Sequence, residues 1–222
     1  PQKHPAPNKA FVIFKIIYRV NFTSFKQLVM NPTYKIINKK KLYEGFFKLH
    51  EVNFTHKKHN GNWSSLVKRE VFSGAHVATV IPYDPIKKQI LLLKQIRAGV
   101  LQSEHDPMLL EIVAGIIDEG ETPKEAAMRE CFEETGCIVN NLINIHSYFP
   151  APGSSESFYH LFLAEINAFE GEKIFGIDGE NEDILVKSYN IDEIKNLLKG
   201  KKIINGVTLI ALQWFFLEYF KN

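Results

Sequence analysis

Apolar and polar residues repeat with two different periods along this chain, and the changes of period mark its predicted elements. Short runs rich in β-branched and aromatic residues, bounded by Gly, Pro, Asn or Asp, predict strands. These runs are residues 34–37, 46–54, 65–72, 76–83, 89–95, 108–114, 142–149, 158–166 and 184–189. Helices are predicted at 123–135, from the cap Asn190 to about Leu198, and at 207–220. The order lacks regular βαβ alternation, so we expect an α+β sandwich with a mixed sheet between helices.

The chain divides into three predicted zones. Residues 1–32 form an N-terminal extension, which opens with a polar, Pro-rich stretch typical of disorder. Residues 33–75 predict a small antiparallel β-sheet subdomain, because Asn60-Gly61 between extended runs favours a hairpin. A sheet of about 40 residues has too little core to be stable alone. We therefore expect it to pack on the larger domain, residues 76–222, or on a second copy of the chain.

The predicted helix at 123–135 has explicit signals at both ends. Thr122 is a good N-cap, Pro123 suits the first helical position, and Glu125 completes a capping box. Gly136 fits the left-handed residue that ends such a helix. A loop should precede it from Gly115.

Three carboxylates lie on one face of that helix. Glu130 and Glu134 are four residues apart, and Glu133 is three residues from Glu130. Like charges stacked in this way repel each other, so a bound cation is the simplest reason to keep them together. The ligands are hard oxygens, which favours Mg²⁺, with Mn²⁺ as the other choice. Arg129 can reach Glu133 at i+4 and hold its carboxylate. A solvated acidic helix face is the alternative interpretation of the run alone.

A second acidic region lies at 176–183, before the strand at 184–189. It places four acids within six residues next to Gly: Asp178, Glu180, Glu182 and Asp183. Alone it would be interpreted as a solvated loop. Beside a metal-binding helix, a mobile acidic loop can supply the base that a phosphoanhydride hydrolase needs.

The stretch 115–137 reads GIIDEGETPKEAAMRECFEETGC and resembles a Nudix box. All seven fixed positions of that motif match: Gly115, Glu121, Arg129, Glu130, Glu133, Glu134 and Gly136. Cys137 stands where the family usually has an aliphatic residue, and Cys behaves as a small buried hydrophobe. The resemblance implies the Nudix α/β/α sandwich.

From Leu42 to about Phe216 the chain is similar to the bacterial ADP-ribose pyrophosphatases. The matching stretches are 69–72, 95–97, 110–115, 152–153, 180–183 and 210–214. The resemblance implies hydrolysis of ADP-ribose to AMP and ribose 5-phosphate. It also implies a homodimer that exchanges its N-terminal sheets, which would explain why the small subdomain is tolerable.

The same resemblance assigns metal-site roles. The carbonyl of Ala114 and the carboxylates of Glu130, Glu134 and Glu182 would bind Mg²⁺. Glu180 would be the general base, and Glu133 is the alternative. Arg129, which holds Glu133, belongs with them in the catalytic set.

Substrate-binding candidates lie outside the box. Arg69 and Arg97 match positions that contact substrate, and guanidinium groups suit a diphosphate; surface or structural arginines are the alternative. Phe46 would stack on adenine or pack in a core, and Glu156 would contact the terminal ribose. Glu111 is a carboxylate in an apolar strand, which is costly unless it is paired or ligating, and we place it in the same group.

Composition narrows the remaining choices. The formal net charge of +2 at pH 7 gives little support for nucleic-acid binding. Cys131 and Cys137 are six residues apart on one helix, a rise of roughly 9 Å, which excludes an unstrained disulfide and suits the cytoplasm. No apolar run is long enough to span a membrane. The competing functions are hydrolysis of another nucleotide sugar or nucleoside diphosphate derivative, a binding module without turnover, and RNA decapping.

Overall fold

The computed structural model describes residues 33–176 and 183–220. By its internal contacts this part of the chain forms two compact units. One contains residues 33–39 and 52–68, and the other contains residues 40–51 and 69–220. The domain boundaries expected from the sequence, after residues 32 and 75, stay a prediction.

A small antiparallel sheet has the strand order β1-β2-β3. Its strands are β1 (Tyr34–Glu44), β2 (Lys48–His56) and β3 (Val67–Ser73). All three predicted strands are present, and β1 is longer than expected because its Lys-rich second half also continues the strand. Gly61 has a φ of 85°, and the Lys58 amide donates to the Asn62 carbonyl at 2.8 Å. The predicted Asn60-Gly61 turn is therefore confirmed.

A larger mixed sheet has the order β10-β11-β5-β4-β9-β8, with β6 paired to β5 and β7 to β4. Its strands are β4 (His76–Asp84), β5 (Gln89–Ile96), β6 (Met108–Glu111), β7 (Val113–Ile116), β8 (Asn141–Tyr148), β9 (Phe158–Glu165), β10 (Glu172–Phe175) and β11 (Ile184–Asn190). β4 and β9 run parallel, whereas β4 and β5 are antiparallel. The predicted mixed sheet is confirmed. β10 is an edge strand that the pattern did not predict.

The strand predicted at 108–114 is two strands that pair with different neighbours. β6 pairs with β5, and β7 pairs with β4. The break falls at Ile112, whose backbone N–H donates at 3.0 Å to the Thr208 hydroxyl instead of to a strand. A residue almost one hundred positions away therefore decides where the ladder is interrupted, and local sequence cannot show this.

In the part of the chain that the structure describes, three α-helices accompany the large sheet: α1 (Pro123–Thr135), α2 (Ile191–Lys199) and α3 (Gly206–Trp214). A π-helical turn (Phe215–Tyr219) follows α3, so the single regular helix predicted at 207–220 is wrong in its last turn. Phe215 is fully buried against Tyr83, with ring centroids 4.9 Å apart. The turn widens where these large rings pack. In the described residues no helix is long and apolar enough to cross a membrane.

Two hydrophobic cores flank the large sheet. On one face α1 contributes Ala126, Ala127 and Cys131, which pack with sheet residues such as Val80 and Phe162. On the other face α2 and α3 contribute side chains that pack with Ile81 and Leu92. The sheet therefore lies between helices, as predicted.

The two cysteines are buried free thiols. Cys137 lies beyond the cap Gly136 and not on the helix, so the expectation that both occupy one helix is wrong. Burial raises the pKa of Cys131 to about 12. At neutral pH this thiol is protonated and inert.

Candidate active site

Helix α1 begins and ends as the sequence predicted. The Thr122 hydroxyl accepts from the Glu125 amide at 3.2 Å, and the Glu125 carboxylate accepts from the Thr122 amide at 2.8 Å. Gly136 ends the helix with a left-handed φ of 67°. These caps set the rotation of the helix, and with it the face that carries Glu130, Glu133 and Glu134.

Arg129 connects α1 to the loop before it. Its Nε and Nη2 donate to the two carboxylate oxygens of Glu121, both at 2.9 Å, and Nη2 also donates to the Ile116 carbonyl at 3.0 Å. The hydrogen bond from Arg129 lowers the pKa of Glu121. A two-point guanidinium–carboxylate contact fixes direction as well as distance, so the loop 117–121 is held against the helix.

The second arm of Arg129 reaches two carboxylates of the acidic face. Nη1 donates to Glu130 at 2.6 Å and to Glu133 at 2.9 Å. The predicted contact between Arg129 and Glu133 is therefore present. With Glu134 on the same helix, four carboxylates lie in this region: Glu121, Glu130, Glu133 and Glu134. The single positive charge of Arg129 therefore neutralises only part of their negative charge.

Glu130 lies directly against the backbone of β7. A Cβ atom at Gly115 would overlap the Glu130 carboxyl group, so a larger residue here would push that carboxyl group out of its present place. Gly115 is part of β7, not of the loop expected there. Burial raises the pKa of Glu130, and Arg129 opposes that rise. A carboxylate that burial disfavours is one that a bound cation would stabilise.

Glu134 contacts Ala114, the residue whose backbone was predicted to bind metal. Glu134 is 7% exposed, and its carboxylate accepts from the Ala114 amide at 3.2 Å. Three residues predicted as metal ligands, Ala114, Glu130 and Glu134, therefore lie close together, although the contact at Ala114 is made by its amide and not by the carbonyl predicted as the ligand. The fourth, Glu182, and the predicted base Glu180 lie outside the described residues.

The chemistry of this set fits a divalent cation. Its donors are carboxylate oxygens, with a backbone carbonyl at Ala114, and hard oxygen donors are what Mg²⁺ and Mn²⁺ prefer. The negative charge exceeds the single positive charge of Arg129. Within residues 33–176 and 183–220 no three acidic, His or Cys side chains already converge as a complete metal site.

A cavity of about 720 Å³ opens beside Ala114 and Gly115, within the second compact unit. One part of its wall is apolar and includes Phe46, Phe47 and Phe72. Another part is polar and includes Arg97, Glu111, Ser155, Ser157, Tyr159 and Asn205. A space of this size with an aromatic wall and a few polar groups is typical of a small-molecule site.

Glu111 is paired, which is one of the two states predicted for it. It is 2% exposed and accepts from Arg97 Nε at 3.0 and 2.9 Å and from Nη2 at 2.6 Å. Asn205 Nδ2 also donates to it at 2.9 Å. Asn205 was not predicted as a site residue. Its position before Gly206 and three residues ahead of Thr208 is an N-cap signal, but nothing local connects it to Glu111.

The remaining substrate-binding candidates separate into two groups. Phe46 lines the cavity and is 88% exposed, with its ring 5.0 Å from that of Phe47, so the core-packing alternative is wrong. Arg69 and Glu156 are exposed and are not among the residues that line the cavity. The Glu156 amide donates to the Phe72 carbonyl at 3.0 Å, which ties its loop to β3.

Comparison with known proteins gives consistent results. A sequence model described as "NUDIX domain" matches residues 74–208. The chain is 36% identical over 185 residues to an ADP-ribose pyrophosphatase of Escherichia coli K12, and the aligned region covers 83% of this chain and 88% of the relative. It is 37% identical over 188 residues to the ADP-ribose pyrophosphatase of Haemophilus influenzae, covering 83% and 87%.

Two further proteins are similar at lower identity. A GDP-mannose pyrophosphatase of Salmonella paratyphi B is 30% identical over 186 residues, covering 83% of this chain and 96% of the relative. The crystal structure of an ADP compounds hydrolase superposes with a TM-score of 0.63 at 19% identity, covering 85% of this chain and 97% of the other. At that identity the superposition supports the fold.

Proposed function

This chain belongs to the Nudix family, and from that premise we propose that it hydrolyses the diphosphate bond of ADP-ribose. Water adds to one phosphorus, the bridging P–O bond breaks, and the products are AMP and ribose 5-phosphate. The observation that carries the proposal is the intact box: Glu130 and Glu134 lie against the β7 backbone, directly beside a cavity with an aromatic wall.

A divalent ion fits the box, and Nudix hydrolases generally use one. Ala114, Glu130, Glu134 and Glu182 would hold it, with Mg²⁺ as the proposed ion and Mn²⁺ as a substitute. When bound, such ions neutralise charge on the diphosphate oxygens, which is the main requirement of phosphoryl transfer.

Proton transfer is assigned to a carboxylate. Glu180, in the acidic loop, would accept the proton of the attacking water, and Glu133 is the alternative base. Glu133 already accepts a hydrogen bond from Arg129 at 2.9 Å, so one of its carboxylate oxygens is occupied. Glu180 is therefore the proposed base, and Glu133 would have a supporting role.

The cavity wall supplies groups for the rest of the substrate. Arg97 lies on the polar side and suits the diphosphate, and Glu111 holds it there. Phe46 presents an exposed ring to the cavity and suits a nucleobase. Arg69 and Glu156 are proposed to contact the diphosphate and the terminal ribose, as the resemblance implies.

GDP-mannose is the second candidate substrate. The Salmonella GDP-mannose pyrophosphatase is 30% identical to this chain over almost its whole length. Both molecules are nucleoside diphosphates joined to a sugar, so the same box can serve both.

We also propose a cytoplasmic homodimer. β1 is exposed along all 11 of its residues, and an exposed edge strand of this length is a surface that proteins usually cover. Size-exclusion chromatography with light scattering tests the dimer. A monomer at micromolar concentration would contradict it.

The substrate proposal is tested with a panel of ADP-ribose, GDP-mannose and a nucleoside triphosphate, each with Mg²⁺, Mn²⁺ or EDTA. Products are separated by chromatography. We expect ADP-ribose to give AMP and ribose 5-phosphate in equal amounts and to have the highest kcat/KM of the panel. We expect no hydrolysis in EDTA. A higher kcat/KM for GDP-mannose would select the second candidate, and no hydrolysis of any diphosphate would contradict both.

A further inference from the structure

Helix α3 is joined to the middle of the active-site sheet by two side chains of its first turn. The Thr208 hydroxyl accepts from the Ile112 amide at 3.0 Å, and the Asn205 amide group donates to Glu111 at 2.9 Å. Glu111 ends β6 and Ile112 is the break before β7. The helix therefore contacts the strand interruption itself, next to the wall of the cavity.

The buried Glu111 carboxylate is stabilised by hydrogen-bond donors from two elements. It is 2% exposed, and an isolated buried carboxylate is strongly disfavoured. Arg97 donates through Nε and Nη2, whereas Asn205 donates to Oε1 from the helix side. Two donors from different elements fix the plane of the carboxylate, and that plane fixes the plane of the guanidinium bonded to it.

The Asn205 side chain uses both ends of its amide. Its Oδ1 accepts from the Thr208 amide at 2.9 Å and caps α3, while its Nδ2 donates to Glu111. A carboxylate can only accept, so this pair of bonds also fixes the orientation of the amide. Asp or Ser at this position would cap the helix equally well but would provide no amide donor.

We propose that Asn205 is a positioning residue for substrate binding: it sets the Glu111 carboxylate so that Arg97, whose side chain is 43% exposed, presents its guanidinium to the cavity. The inference rests on the proposed function, because Arg97 then contacts the diphosphate. Helix capping alone is the competing explanation, and it predicts that any good capping residue would serve.

Asn205→Asp separates the two explanations because it keeps the cap and places a second acceptor beside Glu111. We expect KM for ADP-ribose to rise about tenfold or more with a smaller change in kcat. The matched control is Asn190→Asp. Asn190 caps α2 in the same way, with Oδ1 accepting from Glu193 at 2.9 Å, and it is not among the residues that line the cavity. Equal kinetic changes in the two variants would overturn the proposal.

A double-mutant cycle tests whether the effect passes through Arg97. In an Arg97→Ala background, Asn205→Asp should cause little further rise in KM, because the group it orients is already absent. A cycle in which the two losses add in full would overturn the proposal.

A crystal structure of Asn205→Asp gives a readout that does not depend on turnover. The Arg97 guanidinium should leave its present plane or lose one of its contacts to Glu111. An unchanged Arg97–Glu111 geometry overturns the inference, even if the chain prefers a substrate other than ADP-ribose. Failure of the wild type to hydrolyse ADP-ribose would instead count against the proposed function, and the kinetic arms would then use the substrate that is hydrolysed.

Discussion

The box on α1 and the Arg97–Glu111 cluster are two ways of placing carboxylates in the same domain. Glu111 is buried and receives hydrogen bonds from Arg97 and Asn205, so the protein supplies its counter-charge. In the box, Arg129 is shared by Glu121, Glu130 and Glu133, and Glu134 adds further negative charge. In the Arg97–Glu111 cluster the charges are balanced, so the carboxylate can position a cationic side chain. The box retains excess negative charge and is suited to bind a metal.

Of the substitutions that test this comparison, Glu134→Gln should have the largest effect, a loss of kcat. The glutamine oxygen can still accept from the Ala114 amide, so folding should change little, but the metal loses a charged ligand. We expect kcat for ADP-ribose to fall by about 10³-fold, equivalent to about 4 kcal/mol. The control is Glu125→Gln on the same helix, which keeps its capping role and should keep activity. Normal Mg²⁺-dependent turnover in the Glu134 variant would exclude its metal role.

Arg97→Met should break the balanced cluster. Glu111 would keep only its bond from Asn205, and loss of one partner of a buried ion pair costs about 3–5 kcal/mol; since Arg97 is partly exposed, we expect about 2–4 kcal/mol in urea unfolding. The double variant Arg97→Met/Glu111→Leu should recover most of that stability, because no buried charge remains, yet still bind ADP-ribose poorly.

The control for this experiment is Lys187→Met, which breaks a more exposed pair with Glu172. A loss of at most about 1 kcal/mol is expected there. If the double variant is no more stable than Arg97→Met alone, Glu111 is not the source of the instability.

Arg129→Lys should have an intermediate effect. Lysine keeps the charge but cannot hold Glu121 at two points while bonding Glu130 and Glu133. We expect kcat to fall about 10- to 100-fold, equivalent to about 1.4–2.8 kcal/mol, and the midpoint of thermal unfolding to drop by a few degrees. Wild-type activity in this variant would show that the fork is dispensable.

Asp84→Asn should have the smallest effect, on stability alone. Burial raises the pKa of Asp84, but amide donors from Lys87, Ala168 and Ile86 outweigh it and leave the pKa below its usual value. Asn would direct an amide group at one of these donors, at a cost of about 1–2 kcal/mol near neutral pH.

The stability lost in Asp84→Asn should become smaller as the pH falls. A depressed pKa contributes stability above the unfolded value of about 3.9, and that contribution disappears as the pH falls through the lower, folded value. Urea unfolding of wild type and variant should therefore differ at pH 7 and converge below about pH 4. A difference that stays constant down to pH 3 would contradict the assigned cause.

The sequence alone was enough for whatever depends on nearby residues. The caps of α1 at Thr122 and Gly136, the turn at Gly61 and the reach of Arg129 to Glu133 all follow from spacings of a few residues, and the structure has each of them. The Nudix resemblance rests on the same short stretch, in which all seven fixed positions of the motif match.

Tertiary structure decided the features that join distant parts of the chain. The break at Ile112 involves Thr208, Glu111 receives an additional donor from Asn205, and the close approach at Gly115 involves Glu130. Each of these requires a hydrogen bond or a close contact across the fold. Periodicity reports which face a residue occupies, but only the packed sheet and helices determine which side chain from elsewhere in the chain meets it there.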